Sequence, residues 1–185
     1  SFYLLQIKPL LGATGDYNLD LETIRKEDFI ILTKKSMGNG KIEGIRDVVY
    51  VKTNDFDKTK TRLIASEVEK INASLGEEKK HCILIGPGRW GTRDPFIGIP
   101  VNWSQISSAR VIIEMSLADF PLDASLGSHF FHNVTSMNVG YFSIQHHSKD
   151  EFIDWEKIHN QECIEETNYL RHVRFPQPVC IVMDG

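Results

Sequence analysis

The chain predicts a mixed α/β or α+β domain, a central and mostly β body carrying one long packed helix. Three observations lead there. About eight short apolar or alternating runs of strand length recur between Phe2 and Met183. One stretch, Lys58 to Leu75, carries apolar residues at helical spacing with charged residues opposite. The chain has 185 residues, a length that suits one domain or a domain with a small appendage.

Phe2 to Ile7 reads as a strand stopped by Pro9. Gly12 to Asn18 is rich in turn residues, and Leu21 to Glu27 predicts one or two helical turns. Phe29 to Thr33 (FIILT) is a second strand. The segment Ser36-Met37-Gly38-Asn39-Gly40 supplies a glycine turn before Asp47 to Lys52 (DVVYVK), a third strand with alternating faces. Asp55 or Asp57 is placed to cap the Lys58–Leu75 helix and Gly76 to end it. Its core stripe is predicted to be Leu63, Ile64, Val68, Ile71 and Leu75.

Ala109 to Met115 (ARVIIEM) is strand-like, with Glu114 near its end. Asp119 to Gly127 is irregular, and Ser128 to Met137 predicts a helix. Val139 to Gln145 is a strand and Phe152 to Gln161 a helix. Tyr169 to Phe175 and Val179 to Met183 are closing strands on either side of Pro176-Gln177-Pro178.

The composition narrows the function classes. At 41% hydrophobic and 25% charged residues the chain has the balance of a soluble globular protein. A formal net charge of -4 without a dense Lys/Arg cluster argues against non-specific nucleic-acid binding. No apolar run approaches the ~20 residues of a bilayer span, and no signal peptide is recognisable. The expectation is a protein with neither a nucleic-acid nor a membrane partner. Cys82, Cys163 and Cys180 are widely spaced, which predicts free thiols in a reducing, cytoplasmic setting. The chain starts without Met at an apolar run and stops just after another, so a fragment of a larger protein is expected.

Between the strands at Cys82 and Ala109 lies the stretch richest in chemistry, IGPGRWGTRDPFIGIPV. So many glycines and prolines predict a shaped loop. Gly86-Pro87-Gly88-Arg89-Trp90-Gly91 satisfies G-x-G-x-x-G, but Gly98 and Pro100 would interrupt the helix a dinucleotide site needs. A phosphate-binding loop without that helix stays open. Gly86, Gly88 and Gly91 would turn backbone N–H groups onto an anion, and Arg89 and Arg93 would add charge. Asp94 would orient one arginine, and Glu114 is the nearest later acid. The competing reading is a loop that Arg89 and Asp94 hold shut while Trp90 packs beneath it.

Seven histidines raise a metal question. His129 and His132 share a helical face, but no third ligand follows at a diagnostic spacing. His146 and His147 would point to opposite faces of a strand. No metal site is predicted. Their aromatic neighbours Phe130 and Phe131 also make His129 and His132 poor phosphocarriers.

The segments ILIGPGRWGTRDPFIGIPVNW, ARVIIE and GSHFFHNVTSMNVGYFSI resemble the C-terminal region of bacterial proteins related to phosphoenolpyruvate synthase and pyruvate, phosphate dikinase. Tyr3-Leu4-Leu5-Gln6-Ile7-Lys8-Pro9 is similar to the Gln-x-Arg-Pro strand closing the family's ATP-grasp nucleotide site. By this resemblance Gln6 falls on the nucleotide- and metal-site glutamine, and Lys8 replaces the arginine without its planar fork. It implies that residues 1–10 are the tail of an upstream ATP-grasp domain, with 11–185 a single α/β domain and a sub-boundary near 76–81. It also implies ATP and Mg for the parent, with no cofactor in the fragment itself. Gly98-Ile99-Pro100-Val101 echoes the family's swivelling phosphohistidine module. No histidine lies between Cys82 and Gly127, so that module would be degenerate. The resemblance implies an accessory domain of a phosphotransferase-like enzyme, inactive alone. Its loop would meet a phosphate-bearing ligand or the neighbouring domain. The alternative is a structural or regulatory domain without ligand.

Overall fold

The computed structural model describes residues 3–4, 25–54, 56–120, 122 and 139–184. The fold is mixed α/β, as the sequence predicts. Twelve strands appear among the described residues. They are β1 (Tyr3–Leu4), β2 (Ile31–Leu32), β3 (Lys35–Met37), β4 (Asn39–Val51), β5 (Cys82–Pro87), β6 (Arg89–Trp90), β7 (Gly98–Ile99), β8 (Ala109–Met115), β9 (Gly140–Ile144), β10 (Phe152–Ile153), β11 (Glu162–Glu166) and β12 (Leu170–Asp184). Two α-helices, α1 (Thr61–Glu77) and α2 (Trp155–His159), accompany them.

Eight strands form one sheet in the order β1-β12-β4-β5-β8-β9-β3, with β11 beside β12. The centre, β4-β5-β8-β9, is parallel, whereas β12 runs antiparallel to β4 and β3 antiparallel to β9. Parallel neighbours need a crossover, and α1 supplies the one between β4 and β5. The connection at 78–81 therefore lies inside a single βαβ unit. Only Gly38 separates β3 from β4, although β3 lies at the far edge. The sheet curls until that edge meets β12, where a Cβ on Gly38 would lie 3.1 Å from Met183 Sδ.

Both faces of the central strands are covered, so their sequences read as continuous apolar runs. Val49, Val51, Leu84, Ile112 and Tyr141 face α1, which contributes Ile64, Val68, Ile71 and Leu75. The alternate residues Val48, Tyr50, Ile83, Ile85, Val111, Ile113 and Phe142 pack on Ile30, Ile31 and Ile158. Burying each such aliphatic side chain stabilises the fold by about 1.5–3 kcal/mol.

Several expectations are corrected. Leu63 is 51% exposed rather than core. The buried stripe of α1 is Thr61, Ile64, Ala65, Val68, Ile71 and Leu75, and Leu63 stands about 100° away from Ile64. Asp57 caps a 3-10 turn over Lys58–Lys60, so α1 proper begins at Thr61. It runs past Gly76 to Glu77, and the left-handed residue that follows its end is Lys79 (φ 54). Lys79 N–H donates to Gly76 O and Lys80 N–H to Leu75 O, the paired bonds of a left-handed cap.

The strand from Phe29 shrinks to Ile31–Leu32, paired with β10. The helix from Phe152 shrinks to α2, because Phe152–Ile153 is strand and Glu162–Glu166 forms β11. The two closing strands are one, β12, which absorbs Pro176 and Pro178 in a bulge between Arg174 and Val179. The segment from Leu21 contributes a 3-10 turn at Lys26–Asp28. Tyr3–Leu4 pairs in parallel with Val179–Cys180. Gln6, Lys8, Asp55 and the predicted Ser128–Met137 helix with His129 and His132 lie outside the described residues. No helix among the described residues is long and apolar enough to cross a membrane.

Candidate functional site

The loop from Gly86 to Ile99 emerges at the carboxyl end of β5, the edge at which open α/β sheets commonly place ligands. Its path is more ordered than its composition suggests. Arg89–Trp90 pairs in parallel with Gly98–Ile99, with Arg89 N–H donating to Ile97 O and Gly91 N–H to Ile99 O. The two limbs approach so closely that a Cβ on Gly98 would sit 1.9 Å from Arg89 O. Gly88 takes φ 70 with Phe120 and Ile97 O against its α-carbon, and Gly91 takes φ 74. A Cβ on Gly86 would meet the Trp90 ring at 2.4 Å. The space beside Gly86 and Gly88 is filled by the protein's own side chains and backbone.

Glu114 anchors this loop from below. Alternation along β8 puts it on the face of Ile112, under α1, where it is 1% exposed. One carboxylate oxygen accepts the Trp90 backbone N–H at 2.9 Å and the other the Tyr141 hydroxyl at 2.5 Å. The indole N–H of Trp90 donates to Ile113 O at 3.2 Å, fixing the ring over β8. Burial pushes the Glu114 carboxyl up to about 7, against the opposing pull of the Tyr141 and Trp90 hydrogen bonds and the Arg89 charge. Burial and the neighbouring carboxylate push the Tyr141 hydroxyl far above its ordinary range.

Asp94 does not orient an arginine through its Oδ1. That atom accepts the Phe96 N–H at 2.9 Å, while Thr92 Oγ1 accepts the Asp94 N–H, so residues 92–96 form a tight tip. The tip rests on α1 through the Thr61 hydroxyl, which donates to Pro95 O. Arg93, Phe96 and Ile97 project from it, the last two 57% and 40% exposed. Of the predicted site residues, the fold thus brings Gly86, Gly88, Arg89, Gly91 and Glu114 together, and leaves Arg93 and Asp94 on the outer tip.

Sequence reasoning missed Tyr141, and with it a second polar cluster at the opposite end of the same face. Asp47 on β4 lies opposite Arg174 on β12 and is buried. Its Oδ1 accepts His172 Nε2 at 2.6 Å and the Arg174 guanidinium at 2.8 and 3.0 Å. The phase of DVVYV could have revealed it, since Asp47 is in step with Val49 and Val51.

No three His, Cys, Asp or Glu side chains among the described residues group to hold a metal ion. Compared with known protein families, curated proteins and solved structures, the chain matches none.

Proposed function

We propose that the chain is an accessory, non-catalytic domain of a phosphotransferase related to phosphoenolpyruvate synthase and pyruvate, phosphate dikinase. In this reading the 86–99 loop is a prebuilt platform whose tip docks the neighbouring ATP-grasp domain. One observation carries it: the loop is locked from within by Glu114, Trp90 and Tyr141, while Arg93, Phe96 and Ile97 stand outward. A loop in which Trp90 and Phe120 cover Gly86 and Gly88 offers little backbone there to an anion. Its tip offers a cation and two apolar side chains, the composition of a small interdomain contact.

Thermal unfolding of the full-length protein carrying this chain tests the reading. Phe96→Asp and Arg93→Glu are expected to separate the unfolding of the two domains while this domain's own midpoint stays put. Calorimetric titration of the chain with ATP, phosphoenolpyruvate and inorganic phosphate supplies the counter-test. Binding at the loop that Arg89→Ala or Arg93→Ala abolishes would replace docking with a ligand site. A full-length protein without an ATP-grasp domain would end the parentage.

A further inference from the structure

At the sheet edge opposite the loop, roughly 20 Å away along β5, a cleft of about 570 Å³ opens between β4, β8, β12 and the segment after α1. Its size lies within the range of small-molecule sites. Six cationic side chains line it, Lys41, Arg46, Lys79, Lys80, Arg110 and Arg174, against the carboxylates of Glu43 and Asp47. This concentration of positive charge stands out in a chain of net charge -4.

The pairing inside the cleft is uneven. Lys41 meets Glu43, Lys80 meets Glu78, and Arg174 is spent on Asp47. Arg46, Lys79 and Arg110 have no carboxylate partner among the described residues. Arg46 is oriented all the same, because its Nε donates to Phe175 O at 2.9 Å. Arg110 is half-buried at the start of β8.

Two backbone features converge on the same place. Lys79 is the only non-glycine among the described residues with positive φ. Glycine is the usual occupant of that helix-capping position, because a Cβ there crowds the following carbonyl. Complementing the helix C-terminus explains a lysine near this point, but Lys80 already serves that purpose without strain. Beside it the β4–β12 ladder breaks, with register shifts on both sides of the Val179–Ile45 pair, and Gly44 turns at φ 86 with open space where a Cβ would be. Bulges of this kind re-aim side chains beside binding sites.

We propose that this cleft is a binding site for a small polyanion carrying at least two phosphate groups, held by Arg46, Lys79 and Arg110. Two adjacent phosphates match three uncompensated cations, and the arginines offer forked donors to the phosphate oxygens. The site is independent of the docking role given to the loop.

Inorganic pyrophosphate is the probe, titrated into the 185-residue chain at constant ionic strength with calorimetry and amide NMR as readouts. The expected shifts fall on Gly44–Asp47, Lys79–His81 and Arg110. Arg110→Gln is expected to weaken binding at least about tenfold, and Arg62→Ala, at an exposed cation near the other end of α1, to leave it unchanged. Lys79→Gly separates binding from folding: it should weaken binding about as much while raising the melting temperature. The proposal is overturned if pyrophosphate shifts only the 86–99 loop, or if Arg110→Gln and Lys79→Gly bind as the parent chain does. Equal competition by sulfate at matched ionic strength would also overturn it, since diffuse charge would then suffice.

Discussion

Glu114 and Asp47 are both buried carboxylates on the α1 face of one sheet, yet their surroundings drive them in opposite directions. Glu114 meets neutral donors, a backbone N–H and a phenol, so burial dominates and the acid is held near neutrality, at about 7. Burial pushes Asp47 upward too, but the bonds from His172 and Arg174 and the guanidinium charge outweigh it and hold it below the usual carboxylate range. The difference assigns the two ends of the sheet different work. The loop end is closed, its buried acid bonded to a backbone N–H and a phenol, and is suited to holding a shape. The other end is charged and partly open, with Arg174 18% exposed on its side chain.

Deleting each carboxylate gives the largest test. Glu114→Ala leaves the buried Trp90 N–H without its acceptor and removes the carboxylate that the Tyr141 hydroxyl donates to, and is expected to cost about 2–4 kcal/mol in chemical denaturation. Asp47→Ala leaves Arg174 within reach of Glu78, now 3.7 Å away, and of solvent. It is expected to cost less, about 1–3 kcal/mol, and that cost should shrink in high salt. A larger loss from Asp47→Ala, insensitive to salt, would break the contrast.

The next effect is in pH. A carboxyl whose folded pKa is raised favours the folded state while protonated, so its contribution is full below the unfolded value near 4.5 and is lost as pH rises through about 7. Asp47 behaves inversely, and its contribution is lost only as acid carries the pH below the usual carboxylate range. Stability of the parent chain relative to Glu114→Gln should therefore fall between about pH 5 and pH 7, measured by urea midpoints. Relative to Asp47→Asn it should be constant there and fall in stronger acid. A flat difference against Glu114→Gln would mean that Glu114 is ionised throughout.

This pairing also marks what the sequence made legible. The mixed class, the α1 stripe from Ile64 to Leu75 and the strands at β5, β8 and β9 follow from local periodicity, which side chains report directly. Leu63 departs from expectation because the buried stripe of α1 is one residue narrower than its apolar pattern. The single β12 escapes local pattern because a bulge can house two prolines that a regular strand cannot. The composition of the glycine-arginine loop marks it as special, but Gly86, Gly88 and Gly98 answer to Trp90, Phe120 and the paired backbone of Arg89. Those contacts depend on tertiary approach, as does the meeting of Glu114 with Tyr141, 27 residues later. Asp47 joins His172 and Arg174 across 125 and 127 residues, and no local spacing encodes that.

The smallest test isolates one bond. Tyr141→Phe keeps the ring in the α1-face core and removes only the hydroxyl that donates to Glu114. One neutral-donor hydrogen bond is worth about 1 kcal/mol, and the Phe ring fills the same space, so the stability loss should be near that value. Its direction in pH is more telling. The Tyr141 bond is among the influences that lower the Glu114 pKa against burial, so without it the acid should titrate above 7 and the falling limb of the stability curve should move to higher pH. The matching change at Asp47, His172→Phe, removes a donor that holds its carboxylate down, and there the acid limb should move upward toward the ordinary range. Both limbs moving up, one from near neutrality and the other from strong acid, would confirm that the two sites obey one rule from opposite starting points. An unmoved upper limb in Tyr141→Phe would show that burial alone sets Glu114 and that the tyrosine only fills space.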